Sequence, residues 1–222
     1  SKQTKKELIK RAKLNPKKVE VVYNFIDFDR INYLSKKEKN ALRKSFNLSP
    51  NDFVVGYLGR LSAVKNLDTL INAYPYFKDD KTKIVIIGDG EMRRELEEIA
   101  KKEENIKFLG YRDNPDELYQ MLDVFALPSS SEASPMAFYE SQVYGIPLVG
   151  SNVHAINEFI KNGFNGFLFE YRNYEDLAGK INKIREDKKL RDKMKINAID
   201  NLKKYDIKNY MKKMEDIYNR KK

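Results

Sequence analysis

The sequence contains no cysteine, and one histidine, His154, among its 222 residues. Without cysteine there can be no disulfide staple and no thiolate metal site. A single histidine excludes the usual multi-histidine metal cages. No apolar run approaches the ~20 residues that a membrane-spanning helix needs. The chain opens on Ser1-Lys2-Gln3 with neither a start methionine nor an apolar leader, which suggests a cut made inside a longer chain.

What is present is ordinary globular composition under a heavily charged surface, with 41% hydrophobic and 34% charged residues. The length suffices for one good-sized core or at most two small ones. A net charge of +10 invites a nucleic-acid reading. The cations, however, gather at the two ends, from Lys5 to Lys18 and from Lys188 to Lys222, in helical segments of mixed sign. A solvated helix face explains them better, so no nucleic-acid partner is expected. A weak attraction to anionic membrane lipids stays open. The expected location is the cytoplasm, free or peripheral at the inner face of the membrane.

From Val19 onward, short apolar runs alternate with amphipathic stretches. The runs Val19–Tyr23, Phe53–Leu58, Lys83–Ile87, Ile106–Leu109, Val124–Leu127, Pro147–Val149 and Phe167–Phe169 lack polar alternation, as strands covered on both faces do. Helices are predicted near Lys37–Phe46, Leu67–Phe77, Met92–Lys102, Pro115–Met121, Met136–Tyr144 and Tyr174–Arg185. Strand–helix–strand repetition at this spacing predicts a doubly wound parallel α/β sheet, Rossmann-like, with right-handed crossovers. Asn114-Pro115 and Ser134-Pro135 each offer a cap followed by proline at the first helical position, and Gly145 stops a helix. The expected organisation is a basic linking helix over 1–18, the α/β domain over 19–186, and C-terminal helices over 187–222.

In such sheets ligands bind beyond the carboxyl ends of the strands. After Phe53–Leu58 comes Gly59, whose small size lets a ligand approach the backbone. Arg60 and Lys65 then flank the loop near a helix N-terminus, an odd place for cations unless they surround a diphosphate. Solvated loop charges explain that segment alone equally well. After the next strand, Gly88-Asp89-Gly90 resembles a dinucleotide fingerprint in two glycines only, and Arg93 stands where the third should be, so a nicotinamide or flavin cofactor is not expected. The richest segment runs from Leu127 to Glu140. Glu132 precedes a helix and Glu140 lies within it, while the free N–H groups of Met136 and Ala137 offer an anion site. Glu140 lies roughly 7–8 Å up the axis from Pro135. A sugar–diphosphate–ribose fits such a line, since carboxylates accept hydrogen bonds from vicinal hydroxyls.

Taken in order, Asn24-Phe25-Ile26-Asp27, Gly59-Arg60 with Lys65-Asn66, Ile87-Gly88-Asp89-Gly90, Phe108-Leu109-Gly110, Asp123 to Ser129, Glu132 with Glu140, Gly145 to Ser151, Glu158 and Asn165 to Phe169 resemble the C-terminal domain of the group 1 (family 4) glycosyltransferases. The resemblance runs from about Val19 to Leu177. It implies the C-terminal half of a two-domain GT-B enzyme, a retaining hexosyltransferase using a nucleotide-diphospho-sugar donor, with no cofactor and no required metal. By resemblance Arg60 and Lys65 bind the diphosphate, Glu132 the hydroxyls of the donor sugar and Glu140 those of the ribose, which makes Glu132, Arg60 and Lys65 the expected catalytic set. The backbone over Ser134, Pro135, Met136 and Ala137 contacts sugar and phosphate, and the base lies near Gly88, Gly90, Tyr111 and Arg112. The acceptor-binding N-terminal domain is expected to be missing, and this half alone to be inactive.

The sequence departs from the family at Phe25, where glycine is usual, at Ser141-Gln142, and at Val153 to Asn157. These departures bear on donor choice. His154 reads as a loop residue near the site. Asp27-Phe28-Asp29 mimics the metal-binding Asp-x-Asp of the other large glycosyltransferase fold, but Asp27 fits a turn and no metal is expected. The rival readings are a non-catalytic nucleotide- or phospholigand-binding module and, behind it, a nucleic-acid-binding domain.

Overall fold

The computed structural model describes residues 1–153 and 156–220, so the reading of His154 lies outside the described residues. In chain order the elements are α1 (Lys2–Ala12), α2 (Lys36–Ser45), β1 (Phe53–Leu58), α3 (Leu67–Asn72), β2 (Thr82–Ile87), α4 (Arg93–Ala100), β3 (Ile106–Gly110), α5 (Pro115–Gln120), β4 (Val124–Leu127), α6 (Met136–Val143), β5 (Leu148–Ser151), α7 (Ile156–Phe159), β6 (Gly166–Phe169), α8 (Tyr174–Glu186), α9 (Lys188–Leu202) and α10 (Ile207–Asn219).

Among the described residues the strands form one sheet in the order β3-β2-β1-β4-β5-β6, with every pairing parallel. The direction of winding reverses between β1 and β4, which places the switch point beside the end of β1. Every residue of β1 and of β4 is buried, because helices cover both faces. Burying a side chain of the size of Val or Leu contributes roughly 1.5–3 kcal/mol, so these runs hold the sheet together. At the opposite end of the strands Asp123 accepts hydrogen bonds from Val54 N–H and Arg43 Nη2, both at 2.8 Å, and ties α2 to the sheet.

Four local expectations need correction. Val19–Tyr23 is not a strand: the sheet ends at β3 and β6, and the segment pairs with neither. The segment's rings pack elsewhere: Tyr23 meets Phe159 and Tyr205 edge-on. The one bridge nearby joins Ile26, three residues beyond the segment, to Asp206. The helix expected over Leu67–Phe77 ends at Asn72 and continues as a 3-10 turn over Tyr74–Tyr76, where Pro75 lacks the N–H the helix would use. Pro135 is itself the N-cap of α6, so Ser134 lies outside the helix and its hydroxyl sits 3.4 Å from that of Tyr139. Asn114 does occupy the N-cap of α5, but its amide donates to Glu117 at 2.8 Å and caps nothing.

Candidate functional site

A cleft of about 500 Å³ opens at the carboxyl ends of β1 and β2 and is lined in part by Gly59, Arg60, Gly88, Tyr111, Arg112 and Glu140. Its floor is stitched from backbone. Gly59 N–H donates to Ile87 O at 2.9 Å, Leu61 N–H to Asp89 O at 2.9 Å and Gly88 N–H to Gly110 O at 2.8 Å. Gly88 has φ +131°, and a Cβ there would run into Gly59 O, so only glycine lets the two loops lie this close. Gly90 likewise packs on Leu61 O and does not line the cleft. Of the two, only Gly88 lines the cleft.

Arg60 projects from the rim and pairs with Glu91 across the loops, with Nη2–Oε2 at 3.1 Å and Nε–Oε2 at 3.2 Å. Both side chains are largely in solvent, 75% and 53% exposed. Its backbone is held more firmly, because the buried Tyr57 hydroxyl donates to Arg60 O at 3.0 Å. Tyr111 is exposed, while Arg112 is anchored by Leu109 O at 3.0 Å and lies over the Phe46 ring.

Lys65 does not face the cleft beside Arg60. Its ammonium meets Glu132 Oε1 at 2.6 Å, and the Ser129 hydroxyl donates to the same oxygen at 2.8 Å. These side chains are 22% and 11% exposed, in contrast to the Arg60 pair. Ser130 N–H and hydroxyl both donate to Val64 O, at 2.8 and 3.1 Å, and so lash the loop after β4 to the loop after β1. That contact brings Lys65 and Glu132 together.

Glu140, in the first turns of α6, accepts a hydrogen bond from the Tyr119 hydroxyl at 2.8 Å. Burial pushes the Glu140 carboxyl up, the Tyr119 bond partly opposes this, and Asp116 adds to the rise. The Tyr119 hydroxyl is pushed well above its ordinary range, by burial first and then by the neighbouring Glu140. At the start of α6 the Phe138 N–H turns back to Pro135 O at 3.1 Å, which leaves the N–H groups of Met136 and Ala137 without a backbone acceptor among the described residues. Asn24 reaches this loop from the side, 3.5 Å from Ser134 O and 3.1 Å from Met136 Sδ.

The Asp27-Phe28-Asp29 segment is a small turn. Asp27 accepts the Asp29 N–H at 3.2 Å and pairs with Arg30 at 3.1 Å. No cluster of three metal-ligating side chains occurs among the described residues.

Sequence reasoning missed Tyr119, Ser129 and Glu91. Tyr119 had a faint signal: a phenol inside the apolar pattern of α5 must find a partner for its hydroxyl. Ser129 ends the Asp123 to Ser129 segment, but nothing there marks it as a partner of Glu132, and a surface glutamate such as Glu91 is common everywhere.

The parallel sheet, with a cleft at its switch point that Gly59, Gly88 and the half-buried Glu140 line, has the α/β architecture the resemblance implies. The family model for group 1 glycosyl transferases matches residues 38–201. The chain belongs to this family. Its curated relatives include the Escherichia coli UDP-Gal:alpha-D-GlcNAc-diphosphoundecaprenol alpha-1,3-galactosyltransferase, 31% identical over 82% of this chain and 49% of that protein. Another is the Campylobacter jejuni N-acetylgalactosamine-N,N'-diacetylbacillosaminyl-diphospho-undecaprenol 4-alpha-N-acetylgalactosaminyltransferase, 30% identical over 93% of this chain and 55% of that one. This glycosyltransferase chain thus spans about half the length of the curated relatives it matches. Among solved structures, Anabaena HepE in complex with UDP-glucose superposes with a TM-score of 0.91 at 25% identity, over 99% of this chain and 62% of that one. The lipopolysaccharide glycosyltransferase WaaG shares the GT-B fold, with a TM-score of 0.82 at 20% identity, over 96% of this chain and 59% of WaaG. No helix of the described residues is long and apolar enough to cross a membrane.

Proposed function

We propose that this chain holds the nucleotide-diphospho-sugar donor of a retaining glycosyl transfer. The observation that carries the reading is the cleft beyond β1 and β2, which a cation at its rim, Arg60, and a half-buried carboxylate, Glu140, line together over a floor of glycine backbone. Glu140 accepts the ribose hydroxyls, and Arg60 meets the diphosphate. The free N–H groups of Met136 and Ala137 add positive dipole ends beside it. The pair Lys65–Glu132 stands next in line, where Glu132 accepts hydroxyls of the sugar and the Lys65 ammonium, held on Glu132, adds fixed positive charge on the phosphate side. Positive groups around the diphosphate stabilise charge as it develops on the leaving group, so the residues themselves perform the electrostatic work of departure. The Escherichia coli relative takes UDP-Gal and Anabaena HepE holds UDP-glucose, which favours a uridine nucleotide here.

A cleft open on one side does not exclude water, and transfer requires a second wall and an acceptor. On this reading an N-terminal domain ahead of Ser1 supplies both, with residues 1–18 as part of the connection. The diphosphoundecaprenol acceptors in the names of two relatives favour work at the inner surface of a membrane. Calorimetry with UDP, GDP and ADP, with and without Mg²⁺, tests the donor reading. UDP binding is expected at micromolar to millimolar concentration, unchanged by Mg²⁺, and the chain alone is expected to give no transfer where the full-length protein does. Absence of binding by all three nucleotides would overturn it.

A further inference from the structure

Glu140 differs from the other carboxylates of the cleft. Asp89 and Asp113 are exposed, whereas Glu140 is half-buried on the inner side and has one hydrogen-bond partner among the described residues, the Tyr119 hydroxyl. Tyr119 is 1% exposed. Its ring is wedged between Phe125, at 5.5 Å and 51°, and Tyr144, at 6.5 Å and 20°. A phenol confined in this way points its single donor in one direction, at Glu140 Oε2.

We propose that Tyr119 is a positioning residue for nucleotide recognition: its hydroxyl pins one oxygen of Glu140 and presents the other to the ribose hydroxyls in the cleft. The inference rests on the reading of Glu140 as the ribose acceptor. Two vicinal hydroxyls are two donors, and they need an ionised carboxylate in a fixed plane. A glutamate free to rotate would lose rotamer entropy on binding, and a protonated one would present a donor where an acceptor is needed. Tyr119 opposes both faults. It fixes the plane through a 2.8 Å bond, and because it donates to the charged form it works against the burial that favours the neutral form.

The groups around Glu140 are Tyr119 and Asp116 from α5, Tyr144 at the end of α6 and Tyr57 from β1 behind Tyr119, while Arg60 and Arg112 line the same cleft with partners of their own. Recognition of ribose needs the carboxylate, so it is complete above the Glu140 pKa and is lost as pH falls through it. Removing the Tyr119 hydroxyl takes away a bond that lowers this pKa. The loss then sets in at higher pH.

The test is calorimetric titration of the full-length protein and of Tyr119→Phe with UDP and with 2′,3′-dideoxy-UDP, from mildly acid to neutral pH. The two ligands carry the same diphosphate, so the ratio of their affinities isolates the ribose and cancels phosphate titration. The unaltered protein is expected to prefer UDP by about tenfold or more, the scale of hydrogen bonds to a charged group. Tyr119→Phe should cut that preference several-fold and shift its acid midpoint upward, with dideoxy-UDP affinity unchanged as evidence of an intact fold. Glu140→Gln, which keeps the shape without the charge, should abolish the pH dependence of the ratio. If Tyr119→Phe keeps both the ratio and the midpoint, Tyr119 only fills the core and the proposal is overturned. If the unaltered protein binds the two ligands equally, Glu140 does not read ribose, and both the assignment and the proposal that rests on it fall. Undiminished preference for UDP over dideoxy-UDP in Glu140→Gln would have the same consequence.

Discussion

The two sides of the cleft rim are built differently. On the side of the loop after β4, Lys65, Glu132 and Ser129 interlock with little exposure, and Glu140 rests on a buried tyrosine. On the side of the loop after β2, Arg60 and Glu91 meet in solvent, and Arg93 pairs with Asp89 and Glu97 at the surface. The first arrangement is set before any ligand arrives. The second is a pair of charges that water can replace at small cost. The difference separates groups that shape the site from a group that can swing onto a ligand, and it makes stability and affinity respond to different substitutions.

The largest effect is expected from Lys65→Ala, which leaves Glu132 in a nearly dry place without its cation. Breaking such a pair should cost about 2 kcal/mol of stability, below the 3–5 kcal/mol of fully buried pairs because some exposure remains. For a chain of this size that lowers Tm by roughly 4–8 °C. Thermal unfolding measures it, and Glu132→Gln on the same background should recover part of the loss. A Tm unchanged by Lys65→Ala would remove the distinction between the two sides. Arg60→Ala comes next. It should leave Tm alone yet weaken UDP by roughly tenfold, read by calorimetry. A drop in Tm comparable to that of Lys65→Ala would mean that Arg60 is structural too. Smallest of all is Glu91→Gln, which releases Arg60 from an exposed partner worth about 0.2–1 kcal/mol. UDP affinity should rise about two- to threefold at low salt, and the gain should fade as salt screens both pairs. Weaker binding of UDP by this variant would show that Glu91 helps Arg60 reach the ligand.

The contrast also explains what could be read from the residues alone. Phe53–Leu58 and Val124–Leu127 announce themselves because a strand covered on both faces needs no polar positions, and the structure places both at the centre of the sheet. Glu132, Glu140, Arg60 and Gly88 stand out because they follow strands, where a parallel sheet opens. Val19–Tyr23 has the same apolar look and still joins no sheet, since composition cannot tell whether an edge is free. The partner of each charge was hidden as well. Lys65 is joined to Glu132 and Arg60 to Glu91 by loops that meet only after folding, and nothing in either segment names the other. Tyr119 stands between Leu118 and Gln120, and nothing in that segment ties its hydroxyl to Glu140.

The bridge between Ile26 and Asp206 has a consequence for the order of folding. Ile26 N–H donates to Tyr205 O at 2.9 Å and Ile207 N–H to Ile26 O at 3.0 Å, so two strips from opposite ends of the chain are joined by a pair of backbone bonds. Closing so long a loop from an open chain costs about 2 kcal/mol more than closing one of ~20 residues, such as a strand-to-strand crossover. Two backbone bonds contribute about 0.5–1.5 kcal/mol each, so they offset that cost only together with the burial of Ile26 and Tyr205. The loop-closure cost therefore predicts that the seam closes late, after the sheet has brought its halves together.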